Sequence, residues 1–173
     1  MIPVQHPLLP PGARLWGAGR PGYPDEPPAP EAVAAGVRAW RDAGVDVVVS
    51  LMEDREVPKR APRLYEALAC HGIDVRRFPI VDFGAPVDPV AFSKLLGEVR
   101  ERLTRGQGVL VHCNAGLGRT AVFLASMLVT CGYAGDAIAE IRRIYQPGAM
   151  REPAQEAFIR SLPLGLKGRP RGS

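Results

Sequence analysis

The chain has 173 residues, of which 46% are hydrophobic and 23% charged, with a net charge of +4. That is the make-up of one soluble globular domain with room for a substantial core. The positive excess lies partly at Lys167, Arg169 and Arg171 near the C-terminus and falls short of the patch a nucleic-acid binder carries, so no nucleic-acid partner is expected.

In chain order, Pro3, Pro7, Pro10 and Pro11 make residues 1–12 an extended segment lying on the surface. The compact domain is expected over residues 13–162. It opens with a short strand at Arg14–Gly17 and a loop containing Arg20, which either helps to bind an anion or is a solvated loop arginine. Val33, Val37 and Trp40 fall at helical spacing in a helix starting near Pro30 and stopped at Gly44. Val45–Leu51 reads as a central strand, and the charge cluster after it, Met52-Glu53-Asp54-Arg55-Glu56, as loop structure. A helix over Pro62–Cys70 follows. Its neighbours Cys70 and His71 point in different directions and read as structural.

Ile73–Ile80 reads as another strand, broken at Pro79, and residues 81–86 as a loop punctuated by Gly and Pro. Phe92, Leu96, Val99 and Leu103 mark an amphipathic helix, with Asp88 as its N-cap. It leads into a β-branched run, Gly108–Val111. Beyond the next loop lie an apolar helix over residues 121–128 and a helix with Ile138, Ile141 and Ile144 on one side. That second helix ends in Arg142 and Arg143, which complement its dipole. A last helix runs from about Pro153 to Leu162, and residues 163–173, rich in Gly and Pro, are expected to be a disordered tail. Alternating strands and helices with short connections indicate an α/β fold: a central, mainly parallel sheet flanked by helices on both faces.

The stretch that carries chemistry is His112-Cys113-Asn114-Ala115-Gly116-Leu117-Gly118-Arg119-Thr120, a Gly-rich turn between a buried strand and a buried helix. Such a turn presents successive N–H groups and the positive end of a helix to an anion. The same groups, with Arg119, favour the thiolate of Cys113, so nucleophile and anion site coincide. Three cysteines without a CxxC motif argue against a disulfide framework or zinc site and favour a reducing compartment. With neither an apolar run of the ~18 residues a membrane span needs nor a leader segment, the expected location is cytoplasmic, off the membrane.

Cys113, five residues and then Arg119 resemble the Cys-x5-Arg signature of the protein tyrosine phosphatase superfamily. The flanking His112, Gly116, Gly118 and Thr120 resemble its compact dual-specificity branch. The resemblance implies the same α/β architecture and a phosphatase without metal or cofactor, acting on a phosphorylated protein through a cysteinyl-phosphate. In that chemistry Cys113 is the nucleophile and Arg119 holds two phosphate oxygens with its planar fork. Amides from Asn114, Ala115, Gly116, Leu117, Gly118 and Arg119 complete the cradle. Thr120 donates to the Cys113 sulfur, and His112 orients the loop.

The general acid that such relatives carry matches Asp82 in Pro79-Ile80-Val81-Asp82-Phe83-Gly84-Ala85-Pro86, 31 residues ahead of Cys113. A water-orienting Gln-Thr-x-x-x-Gln segment corresponds to Arg151-Glu152-Pro153-Ala154-Gln155. The first Gln and the Thr are missing, and Gln155 either keeps the second place or is a surface glutamine. Uncharged Asn114, Ala115 and Leu117 favour phosphotyrosine, with phosphoserine and phosphothreonine, over a phosphoinositide. A role as an RNA 5′-phosphatase or a catalytically silent phosphoprotein-binding module are the alternatives. Oligomeric state stays open.

Overall fold

The computed structural model describes residues 1–162; the tail expected at residues 163–173 lies outside them. Five strands, β1 (Ile2–Pro3), β2 (Arg14–Ala18), β3 (Val47–Ser50), β4 (Asp74–Arg77) and β5 (Gly108–His112), form one sheet in the order β1-β2-β5-β3-β4. β2, β5, β3 and β4 run parallel, and β1 pairs antiparallel with β2. The helices are α1 (Pro30–Asp42), α2 (Val57–Arg60), α3 (Leu64–Cys70), α4 (Pro89–Thr104), α5 (Arg119–Thr130), α6 (Ala137–Ile144) and α7 (Pro153–Ser161).

Every residue of β3 and β5 is buried, which is why both strands read as unbroken apolar runs rather than as an alternation. Their side chains still divide between the two faces. Val47, Val49, Val109 and Val111 join a core with Phe92, Leu124 and Ile141. Val48 and Leu110 join the opposite one with Val33, Val37, Leu64 and Leu68. The mainly parallel sheet is thus covered on both faces, as the alternation of elements implies. α5 is buried from Arg119 to Val129 and forms the centre of the larger core. Asp88 caps α4 as expected, its Oδ1 accepting from the amides of Val90 (3.1 Å) and Ala91 (2.9 Å). Among the described residues, no helix is long and apolar enough to cross a membrane.

One expectation needs correction. Residues 1–12 do more than lie on the surface: Ile2–Pro3 adds an edge strand, where proline is tolerated, and Val4 and Leu9 are buried. The charge cluster after β3 leads into a turn of helix, α2, that no periodicity announced because it is only four residues long.

Register then positions the site. Ala18 and Ser50 both pair with His112, and Arg77 pairs with Ser50, so β2, β5, β3 and β4 end level with one another. The loops after these four strands converge at one edge of the sheet, where open α/β sheets hold their ligands. Removing side-chain volume beneath this edge tests how far the core holds it in place. Leu124→Ala, at a fully buried position on α5, is expected to lower unfolding stability by about 2–5 kcal/mol, measured by urea titration.

Candidate active site

The loop after β5 carries Cys113, which is buried and accepts from the Gly116 amide (N to Sγ 3.2 Å). Gly116 has φ +81°, and a Cβ there would lie 2.6 Å from the Gly19 nitrogen, so only glycine fits. The loop is pinned from several sides. Its Asn114 carbonyl accepts from the Arg20 amide at 2.8 Å, and the Asn114 side chain accepts from Arg20 Nε at 2.8 Å. The Gly116 carbonyl accepts from the Tyr145 hydroxyl at 2.8 Å, and the Leu117 carbonyl from the Met150 amide at 3.0 Å. Arg20 is therefore neither a substrate ligand nor a solvated residue; it is a buried strut that also donates to the Asp25 carbonyl at 2.7 Å.

Arg119 is 1% exposed. Its Nη1 and Nη2 donate to the two carboxylate oxygens of Glu56 at 2.6 and 3.0 Å, and Nη1 also to the Ile80 carbonyl at 3.0 Å. Burial pulls the guanidinium pKa down more than any single neighbour raises it, but the Glu56 hydrogen bonds and the nearby anionic groups together outweigh it, and the net shift is upward. Burial likewise works against ionisation of Glu56, yet Arg119 carries that carboxyl below its ordinary range. The pair is two-pronged and geometrically fixed. Nε, the third donor position of Arg119, is buried and has no partner among the described residues.

Asp82, from the loop after β4, reaches the same guanidinium: Oδ1 lies 2.9 Å from Nη2, and Oδ2 lies 3.8 Å from Arg60 Nη1. Asp82, Cys113 and Arg119 line one cleft of about 310 Å³ with Phe83, Met150 and Gln155. Gln155 is 1% exposed, which removes the surface reading. Its Nε2 donates to the Gly84 carbonyl at 3.0 Å, so the amide orientation is set and Oε1 is left as an acceptor with no partner among the described residues.

One of the predicted residues is bonded differently from expectation. The Thr120 hydroxyl donates to the Ala18 carbonyl at 3.4 Å, rather than to the Cys113 sulfur, and so ties α5 to β2. His112 is fully buried, with Nδ1 3.1 Å from the Cys113 carbonyl and its ring against Trp40. Burial lowers its pKa to about 4, so near neutrality it is an uncharged donor to that carbonyl and shapes the loop.

Sequence reasoning missed Glu56, Tyr145 and Arg142. The last was assigned to the helix dipole, but it bonds the Ala149 and Met150 carbonyls at 3.0 and 2.7 Å and so holds the turn beneath Leu117. Glu56 lay in the charge cluster assigned to loop structure, although a buried arginine requires a carboxylate from somewhere.

One cleft thus brings together a buried thiol, a buried guanidinium and a carboxylate. The model of the Tc-R-P family, described as polymorphic toxin system, DSP-PTPase phosphatase, matches residues 24–133. The chain belongs to this family. The family is of the dual-specificity and protein tyrosine phosphatase type, and the matched range holds Asp82, Cys113 and Arg119. Among similar proteins, the probable protein tyrosine phosphatase type IVA A of Dictyostelium discoideum is 38% identical over 69 residues, 39% of this chain and 41% of that one. Cyclin-dependent kinase inhibitor 3 of Sus scrofa is 29% identical over 126 residues, 69% of this chain and 58% of that one. The matches thus span less than two thirds of these relatives' lengths. The crystal structure of kinase associated phosphatase shares the fold, with a TM-score of 0.71 at 21% identity over 84% of this chain and 82% of that chain.

In this Tc-R-P phosphatase the neutral His112 has a consequence for stability. Its pKa is about 4 in the fold against 6.5 for an exposed histidine, so the unfolded chain takes up the proton first as pH falls. The contribution of neutral His112 to stability is present in full above about pH 6.5 and declines below it, by about 2 kcal/mol between pH 7 and pH 5. Urea midpoints across this window should fall for the wild type and change less for His112→Asn.

Proposed function

We propose that this phosphatase hydrolyses phosphotyrosine in protein substrates, with phosphoserine and phosphothreonine as further substrates, through a cysteinyl-phosphate formed without a metal. The observation that carries the reading is the free Nε of buried Arg119 beside an Nη2 now contacted by the Asp82 carboxylate. A phosphate dianion would take both donors as a fork and displace Asp82 from Nη2 towards the ester oxygen.

The thiolate of Cys113 then attacks phosphorus: an S–P bond forms, the P–O bond to the leaving group breaks, and that oxygen takes the proton that Asp82 picks up from solvent once it has left Arg119. Arg119 and the amides of residues 114–119 hold the three equatorial oxygens, where charge is spread in the transition state. In the second step Asp82, now ionised, takes a proton from water, which attacks phosphorus and releases inorganic phosphate and the Cys113 thiolate. Gln155 Oε1 is available to accept the water's other hydrogen. Its anchor on the Gly84 carbonyl couples that position to the loop bearing Asp82.

The substrate assignment rests on the cleft walls. Phe83, 67% exposed, and Leu117, 37% exposed, offer apolar surface to an aryl group. The similar proteins bear the names of a protein tyrosine phosphatase and a kinase associated phosphatase. One observation favours a phosphoinositide instead: Arg151 lines the cleft and has no ion pair among the described residues. A reducing cytoplasm suits a mechanism that depends on a free thiol.

The test is hydrolysis in the presence of chelator, with a phosphotyrosine peptide, a phosphoserine peptide and a phosphoinositide compared. Turnover should be highest on the phosphotyrosine peptide and abolished in Cys113→Ser. It should be lowered about 10²–10⁴-fold in Asp82→Asn. Activity retained by Cys113→Ser would overturn the mechanism, and a preference for the phosphoinositide would overturn the substrate assignment.

A further inference from the structure

Asp82 lies between two arginines, and the mechanism above uses only one of them. Arg60 closes the four-residue α2, and its amide donates to the Glu56 carbonyl at 2.8 Å. Its Nη1 stands 3.8 Å from Asp82 Oδ2 and 3.8 Å from Glu26 Oε1. Glu26 in turn lies 3.5 Å from Arg20 Nη2, and Arg20 holds Asn114 of the phosphate loop at 2.8 Å. A charged chain, Asp82–Arg60–Glu26–Arg20–Asn114, therefore joins the loop that carries the acid to the loop that carries the nucleophile. The same helical turn carries, at its two ends, the carboxylate that aims Arg119 and the guanidinium that faces Asp82.

Once a phosphate occupies Nε and Nη2 of Arg119, Asp82 Oδ1 loses its close partner. Of the two cations seen around Asp82, Arg60 is the one left to it. Among the described residues, the charged and titratable groups around this carboxyl are Arg119 from α5, Cys113 from the loop after β5, Glu56 and Arg60 at the two ends of α2, Glu26 behind Arg60, and Arg151 and Glu152 elsewhere in the cleft lining. We infer that Arg60 is a positioning residue for Asp82: it keeps the carboxyl at the mouth of the cleft and stabilises the carboxylate left when the ester oxygen takes its proton. The inference rests on Asp82 being the general acid. The bonds made and broken are those of the first step, and Arg60 exchanges no proton.

The requirement for acid assistance grows as the leaving group becomes more basic, so the role is read as a ratio. Arg60→Gln and Arg60→Lys are assayed with p-nitrophenyl phosphate and phenyl phosphate, alone and in the Asp82→Asn background. For Arg60→Gln, kcat on phenyl phosphate should fall about fivefold to tenfold more than on p-nitrophenyl phosphate, with KM little changed. Arg60→Lys should recover part of the loss, and Arg60→Gln should add nothing once Asp82 is Asn. Because both substrates are measured on one preparation, the ratio does not depend on how much of the protein is folded. Equal losses on the two substrates, or a full additional loss in Asp82→Asn, would overturn the inference. If Asp82→Asn alone shows no dependence on leaving group, the acid assignment fails first, and the two failures are told apart.

Discussion

The buried ion pair between Arg119 and Glu56 is the constraint on which the rest of the site depends. A guanidinium with almost no contact with solvent would be strongly disfavoured without a carboxylate on the far side. Glu56 supplies it in a two-pronged geometry on Nη1 and Nη2 that leaves Nε without a partner among the described residues. The first turn of α5, the turn at α2 and the carbonyl of Ile80 all converge on this one side chain. Charge, position and direction are thus set before any substrate arrives, which is how a site stabilises a transition state without reorganising at the moment of reaction.

The second consequence is competition for a single cation. Asp82 lies 2.9 Å from Nη2 of Arg119, the donor that the proposed mechanism assigns to the phosphate. On that mechanism, substrate entry would exchange one anion for another, moving the carboxyl towards the ester oxygen. The pinning of the phosphate loop by Arg20, Tyr145 and Met150 means that this exchange takes place against a rigid frame. Gln155, anchored to the carbonyl of Gly84, links the same acid-bearing loop to the place where water would attack.

What the sequence disclosed follows the reach of each interaction. The order of strand, Gly-rich turn and apolar helix at residues 108–130 is local, and the structure repeats it within a residue or two. Asp82 was found by its spacing in a family-like segment, and the structure brings it to Arg119. Glu56 and Tyr145 could not be found that way. Their roles depend on which strands lie side by side, and an acidic residue after a strand or a tyrosine at a helix end has an ordinary local explanation. Arg20 and Arg142 were visible as arginines, but their backbone and side-chain partners lie on other segments. Thr120 was assigned a bond to sulfur, whereas its hydroxyl turns to the Ala18 carbonyl because β2 runs beside the start of α5.

The most direct test of the account is a crystal structure of the Cys113→Ser protein with a phosphotyrosine peptide bound. The account predicts that Arg119 keeps Glu56 and places Nε and Nη2 on two phosphate oxygens, while Asp82 leaves Nη2 and turns its carboxyl to the ester oxygen. A bound phosphate held elsewhere, with Asp82 still on Arg119, would contradict it.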